Sequence, residues 1–226
     1  EFSGDISGKI SFMQSNGGLI SKDLFKGKDA VLSGPAGGVV GAVEVSKKIG
    51  ENKIIGFDMG GTSTDVCHFS GSYERTYKSQ ISGVRLSSPM MNINTVAAGG
   101  GRILSYRLGR LQVGPESAGS LPGPSSYGNG GPLTVTDANI ITGRLKPEFF
   151  PAIFGKNGKK PLDTKAPKKC ISPIAKELNQ SHESLAEDWL NIASQNMANA
   201  IKKISVQKGY DINKYCLTVF GGAGGQ

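Results

Sequence analysis

The chain has no run of 18 apolar residues, the length a membrane-spanning helix needs, so no such helix is expected. Cysteine is scarce and odd in number: Cys67, Cys170 and Cys216 are the whole set. That argues against a disulfide framework and for a reducing, cytoplasmic setting. Histidine is rarer still, and His68 and His182 stand far apart. No cysteine or histidine pair has the short spacing of a zinc site. Two nucleotide motifs are missing as well. The lack of Gly-x-x-x-x-Gly-Lys-Ser/Thr removes a P-loop NTPase. No Gly-x-Gly-x-x-Gly follows a strand with an acidic residue about 20 positions later, which disfavours a Rossmann dinucleotide site.

What the chain has in excess is glycine, 33 of 226 residues, about twice the usual share of ~7%. The glycines cluster at 34–41, 56–61, 99–101, 114–131 and 221–225. Clusters without a period fit tight turns at strand ends, not collagen or a linker. The net charge is +8. Most of the excess lies in 156–176, where Lys156, Lys159, Lys160, Lys165, Lys168, Lys169 and Lys176 face one acid, Asp163. Pro161, Pro167 and Pro173 interrupt that stretch, and no aromatic residue offers a base-stacking surface. A solvated Lys/Pro-rich loop is expected there, and nucleic-acid binding is not.

Residues 54–66, Ile-Ile-Gly-Phe-Asp-Met-Gly-Gly-Thr-Ser-Thr-Asp-Val, carry the strongest chemical signal. The run Ile54, Ile55, Phe57 reads as a buried strand ending on Asp58. Gly60 and Gly61 turn the chain, Thr62, Ser63 and Thr64 present hydroxyls before Asp65, and Val66 and Phe69 mark a return strand. A strand-end carboxylate, a glycine turn and a hydroxyl cluster are the parts of a phosphate–Mg²⁺ site. Glycines let N–H groups approach phosphate oxygens, hydroxyls donate to them, and the carboxylate holds the metal or its waters.

Other elements surround this hairpin. Ser33-Gly-Pro-Ala-Gly-Gly38 opens a helix over Val39 to Ile49, closed by Gly50. Residues 1–33 show no long pattern, and a strand is expected near 73–79. The strand Ile93 to Ala98 runs into Gly99-Gly-Gly101, and 103–113 read as a hairpin about Leu108-Gly109-Arg110. The Gly/Pro/Ser-rich 114–132 reads as an irregular loop over a pocket. A short helix begins at Thr136-Asp137, where N-capping is the bland role for Asp137, and ends near Gly143. A long helix is expected from a capping box at Ser184 and Glu187. Leu185, Trp189, Ile192, Asn196, Ala200 and Ile204 form its core face and Gly209 closes it. The last strand, Leu217 to Phe220, ends in Gly221-Gly-Ala-Gly-Gly225. This order predicts an α/β domain with a mixed sheet flanked by helices, in which three glycine turns, after Phe57, Ala98 and Phe220, converge on one cleft.

The hairpin phrase Phe57-Asp-Met-Gly-Gly-Thr-Ser-Thr-Asp65 resembles the phosphate-binding hairpin of the actin/hexokinase/Hsp70-like, ribonuclease H-like ATPase superfamily. More narrowly, the chain resembles the hydantoinase A/5-oxoprolinase family along nearly its whole length. The carrying stretches are Leu32-Ser-Gly-Pro-Ala-Gly-Gly-Val-Val-Gly41, the hairpin, Asn94-Thr-Val-Ala-Ala-Gly-Gly-Gly101 and Val113-Gly-Pro-Glu-Ser-Ala-Gly119, then Thr134-Val-Thr-Asp-Ala-Asn139 and Val219-Phe-Gly-Gly-Ala-Gly-Gly-Gln226. Asn94, Gly143-Arg-Leu and the Phe-Pro-x-Ile-Phe-Gly run at 150–155 resemble the oxoprolinase branch. Ser126 stands where the family usually has Cys, and Arg102 where Ser is common.

The resemblance implies a fragment of an ATP-dependent 5-oxoprolinase, which opens the 5-oxoproline lactam to glutamate with ATP and Mg²⁺. It implies catalytic roles for Asp58 and Asp65, with Asp58 at the metal. Gly60, Gly61, Thr62 and Thr64 are then expected at phosphate, and Gly221, Gly222 and Gly224 beside the adenosine. Asp65 positions water or metal, or only caps the hairpin; Glu116 is a candidate substrate contact. Residues 1–226 are expected to be one partial ATPase-like domain, with its preceding and following domains absent. The expected partners are a small cyclic amide and the rest of the protein or a hydantoinase B-like subunit, with no nucleic acid and no membrane; a homo-oligomer stays open. An N-methylhydantoinase or ketone carboxylase subunit, or a non-catalytic scaffold, is the alternative.

Overall fold

In a computed structural model of the chain, residues 10–77, 79–81 and 84–226 are described. The strands are β1 (Ser11–Met13), β2 (Leu19–Ser21), β3 (Lys53–Met59), β4 (Thr64–Ser70), β5 (Arg75–Thr76), β6 (Ser79–Ile81), β7 (Val84–Leu86), β8 (Met90–Met91), β9 (Ile93–Val96), β10 (Arg102–Arg107), β11 (Arg110–Ser117) and β12 (Cys216–Phe220). The helices are α1 (Ser33–Lys48), α2 (Val135–Ile141), α3 (Lys165–Leu178) and α4 (His182–Ile204). The strand expected near 73–79 runs through Lys78, outside the described residues; β5 and β6 flank it. Among the described residues no helix is long and apolar enough to cross a membrane.

A four-stranded sheet in the order β12-β3-β4-β9 forms the centre, with β12 parallel to β3 and the other pairs antiparallel. This is the mixed sheet expected from the sequence, and helices flank it. Alternation along β3 explains why both faces are covered. Ile54 packs with Ala42, Val43 and Phe69 on the α1 side. Ile55, Phe57 and Met59 pack with Val66, Ala200 and Ile204 on the α4 side. The N-terminal half of α4 meets α2, α3 and the β10–β11 hairpin in a second core centred on the fully buried Trp189, whose Nε1 donates to Ser105 O at 3.3 Å. That hairpin turns at Leu108 and Gly109, both with positive φ.

Five expectations need correction. The loop expected over 156–176 is helical from Lys165 onward, as α3. Pro167 falls in the first turn, where the missing N–H breaks no intrahelical bond. Pro173 is interior, yet the helix persists because Ile171 and Ala175 are buried against the second core. The N-cap of α4 is Ser181, not Ser184; its side chain accepts from Ser184 N. The same helix stops at Ile204, so Gly209 closes a separate 3-10 turn, and Asn196, expected in the core, is exposed. Finally, α1 begins at Ser33, so its glycines lie inside the helix.

Candidate functional site

The hairpin expected from residues 54–66 is formed by β3 and β4, with Asp58 opposite Asp65 and Met59 opposite Thr64. Period-two alternation puts Asp58 and Asp65 on the α1 side of the sheet, and register adds Thr95 of β9 to the same row. Thr95 Oγ1 donates to Asp65 Oδ1 at 2.5 Å. Asp58 is half-buried and makes no hydrogen bond or ion pair. Burial, and then the nearby charge of Asp65, push its carboxyl above the ordinary carboxylate range. Two groups close over it: a Cβ on Gly38 of α1 would stand 3.4 Å from Asp58 Oδ2, and one on Gly221 would stand 2.4 Å from Oδ1.

The tip of the hairpin, Gly60 to Ser63, is locked by neighbouring turns. Gly60 N donates to Ser63 O at 2.9 Å, closing the turn itself. Gly100 N donates to Gly60 O at 3.2 Å, Gly101 N to Gly61 O at 2.6 Å, and Ala223 N to Met59 O at 2.8 Å. A Cβ on Gly99 would lie 2.7 Å from Gly60 O, so this approach of two backbones requires glycine. The three glycine turns therefore do converge. Between them lies a cavity of 200 Å³ lined by Gly61, Gly101, Tyr127, Thr136, Gly222 and Gln226 among others.

The nine expected site residues divide by position. Gly61 and Gly222 line the cavity; Gly60 is in the turn beside it. Thr62 is exposed at the tip with no protein partner. Thr64 is fully buried, and its hydroxyl donates to Ala98 O, so it ties β4 to the second glycine turn instead of facing outward. Gly221 packs on Asp58, and Gly224 packs under Phe220 O, where a Cβ would come within 2.6 Å. Asp58 and Asp65 lie on the sheet face beneath the α1 entry, outside the cavity lining. Glu116 is exposed, 3.9 Å from Arg107, and touches no cavity residue through an ion pair.

A carboxylate with free oxygens beside a turn that presents N–H groups has the chemistry of a hydrated Mg²⁺–phosphate site. Such a cation keeps several waters and needs only one or two carboxylates. Among the described residues no group of three or more His, Cys, Asp or Glu could hold a metal ion.

Asp137 has a different role from the N-cap expected of it. Thr134 is the N-cap of α2, and Asp137 is its reciprocal partner in a capping box. The fully buried Asp137 carboxylate also accepts from Ser125 N at 3.0 Å and Ser126 N at 2.9 Å. It thereby fixes the loop that delivers Tyr127 to the cavity. Arg102 is buried too: it donates to Pro115 O, its Nε has no partner, and no acid faces it. Thr136, Tyr127 and Gln226 were not singled out from sequence; nothing in a local pattern tells a cavity wall from a core position.

Comparison with known proteins matches the hydantoinase/oxoprolinase family model over residues 2–226. A 5-oxoprolinase of Dictyostelium discoideum is 43% identical over 246 residues, covering 99% of this chain and 19% of that protein. The chain thus spans about a fifth of the length of the curated 5-oxoprolinases it matches. Among solved structures, a nucleotide-free acetone carboxylase aligns with TM-score 0.80 and 28% identity, over 96% of this chain and 30% of that one. An ATP-dependent caprolactamase from Pseudomonas jessenii aligns with TM-score 0.76 and 36% identity, over 92% and 30%.

Proposed function

The chain belongs to the hydantoinase/oxoprolinase family, and on that footing we propose that it is the ATPase lobe of an ATP-dependent cyclic amide hydrolase that opens 5-oxo-L-proline to L-glutamate. The lobe is one partial domain of a larger cytoplasmic protein. Its work is to hold one phosphate end and the adenosine side of ATP against a second lobe or a hydantoinase B-like subunit. The observation that carries this reading is the meeting of three glycine turns around one cavity, next to an unpartnered Asp58.

A lactam resists water because its nitrogen lone pair is delocalised into the carbonyl. ATP supplies the phosphoryl group that makes the carbonyl oxygen a leaving group and the carbon electrophilic. A new oxygen–phosphorus bond forms as the β–γ bridge of ATP breaks to ADP. Water then adds to the carbon and the C–N bond opens, with the amine taking the proton, to leave an acyl phosphate, which a second water cleaves to glutamate and inorganic phosphate.

In this scheme Gly61 and Thr62 offer N–H groups and Thr62 its hydroxyl to phosphate oxygens, while Gly60, whose N–H closes the turn on Ser63 O, lets the phosphate approach bare backbone. Thr64 acts through the backbone position it fixes. Asp58 would hold Mg²⁺ or its water, and a cation there would favour the ionised carboxylate against the burial and, after it, the Asp65 charge that raise its pKa. Bound Mg²⁺ would neutralise phosphate charge. Gly221 keeps the Asp58 carboxylate in place, and Gly222 lets a nucleotide lie against bare backbone.

The deciding measurement is glutamate release from 5-oxoproline by the intact polypeptide with and without ATP. Release that ignores ATP, or no release, overturns the reading. The likeness to an acetone carboxylase and a caprolactamase favours one alternative, a related ATP-dependent enzyme with another amide or ketone substrate. ADP formation stimulated by caprolactam or acetone, and not by 5-oxoproline, would select it. Full ATPase activity in an Asp58→Ala variant would favour a scaffold role instead.

A further inference from the structure

Bare backbone at Gly222 can lie close to a nucleoside but offers its base no surface to pack on; that needs side chains. A second cavity, of 280 Å³, abuts the glycine cavity and shares Gly222 and Gln226 with it. Its remaining walls are Arg144, Leu145, Lys146, Phe149, Phe150 and Gly225. Phe149 is 82% exposed and Phe150 41%. Two adjacent phenylalanines left open to water contribute little to the fold, and packing does not account for them.

We propose that Phe149 and Phe150 form the wall on which the purine base of the nucleotide stacks. The inference rests on the nucleotide reading above and assigns the residues that recognise the base. Every base has an apolar π-face, and an aromatic ring beside it supplies sequence-tolerant affinity. The wall is also held in place before any ligand arrives. Leu145 is buried with Ile140 and Leu162, and its N–H donates to Asn139 O at 3.0 Å. A 3-10 turn at Pro147–Phe149 follows, with Phe149 N to Lys146 O at 3.2 Å and Phe150 N to Pro147 O at 3.1 Å. Arg144 is drawn aside by Glu187 at 2.6 Å, while Lys146 has no ion-pair partner and stands free at the cavity edge. The contiguity of the two cavities gives a path from phosphate at the hairpin tip to base at the aromatic pair.

Calorimetry on the intact polypeptide tests this, with MgATP and inorganic tripolyphosphate as ligands. Phe149→Ala/Phe150→Ala is expected to weaken ATP binding roughly 5- to 100-fold and leave tripolyphosphate unchanged. Phe149→Tyr, which keeps the ring, should stay near wild type. Equal ATP affinity in wild type and the double variant overturns the inference while the nucleotide reading stands, as does an equal loss for both ligands. A wild type that binds no ATP sinks the nucleotide reading and the stacking wall together.

Discussion

Gly221 sits against the Asp58 carboxylate so tightly that a Cβ there would stand 2.4 Å from Oδ1 and 2.5 Å from Met59 O. Its φ of +95° independently disfavours any side chain. Gly221→Ala should therefore destabilise the chain by about 2–4 kcal/mol and displace Asp58. Gly222→Ala meets nothing within 4 Å and should change stability by no more than about 0.5 kcal/mol, while weakening ATP binding. Urea unfolding and nucleotide titration of both variants separate the two effects.

The two threonines of the hairpin should behave oppositely. Thr64→Val leaves the Ala98 carbonyl without its donor in a buried position, at a cost of about 1–3 kcal/mol in unfolding free energy. Thr62 is exposed and unpartnered. Thr62→Val should leave unfolding unchanged and weaken MgATP binding by about tenfold or more, the effect of a lost hydrogen bond to a charged group.

Asp137→Asn should be a stability variant. Its Oδ2 accepts from Ser125 N at 3.0 Å, Thr134 N at 2.9 Å and Thr134 Oγ1 at 3.0 Å, and Oδ1 accepts from Ser126 N at 2.9 Å. An amide NH₂ cannot accept, so one set of donors is stranded whichever way it turns. A loss of about 2–4 kcal/mol is expected by denaturant titration.

Stability should fall on mild acidification because of His68. Burial holds its pKa below the ordinary 6.5, and this outweighs the opposing pull of Glu74. Glu74 accepts from Nδ1 at 2.8 Å, Nε2 is buried without a partner, and Tyr210 stacks on the ring at 3.9 Å. Lys208 also faces this group, bound to Glu74 at 2.7 Å. Because the folded-state pKa is depressed, the contribution is fully present above pH 6.5 and is lost as pH falls below it toward the folded value. Glu74 follows in stronger acid. Its pKa lies below 4.5 because hydrogen bonds from Lys208, Asn92 and Tyr210 overcome its burial. Melting temperature against pH should drop first below 6.5 in the wild type, and His68→Gln should remove that first limb.

The hairpin and the convergence of turns were legible in the sequence because glycine pairs at strand ends have few other uses. The buried strand was legible as well in the run Ile54, Ile55 and Phe57, though which residue faces which helix emerges only in the fold. Helix α3 was hidden by its prolines and lysines, since the burial of Ile171 and Ala175 against a distant core leaves no local mark. The inward turn of Thr64 was obscured by its company, because Thr62, Ser63 and Thr64 look alike until the register of β4 is known. Asp137 was recognisable as a helix-start residue, but its bonds to Ser125 and Ser126 join segments that only the folded chain brings together.

The interlocking of the three turns also fixes the polarity of the hairpin tip. The carbonyls of Met59, Gly60 and Gly61 are all occupied by N–H groups from the neighbouring turns, whereas the N–H groups of Gly61 and Thr62 donate to no other residue. The rim is thus acceptor-poor and donor-rich by construction, with no lysine or arginine involved. An anion arriving there would meet two free peptide dipoles beside the Thr62 hydroxyl, and the part of charge selection supplied by those dipoles titrates at no physiological pH.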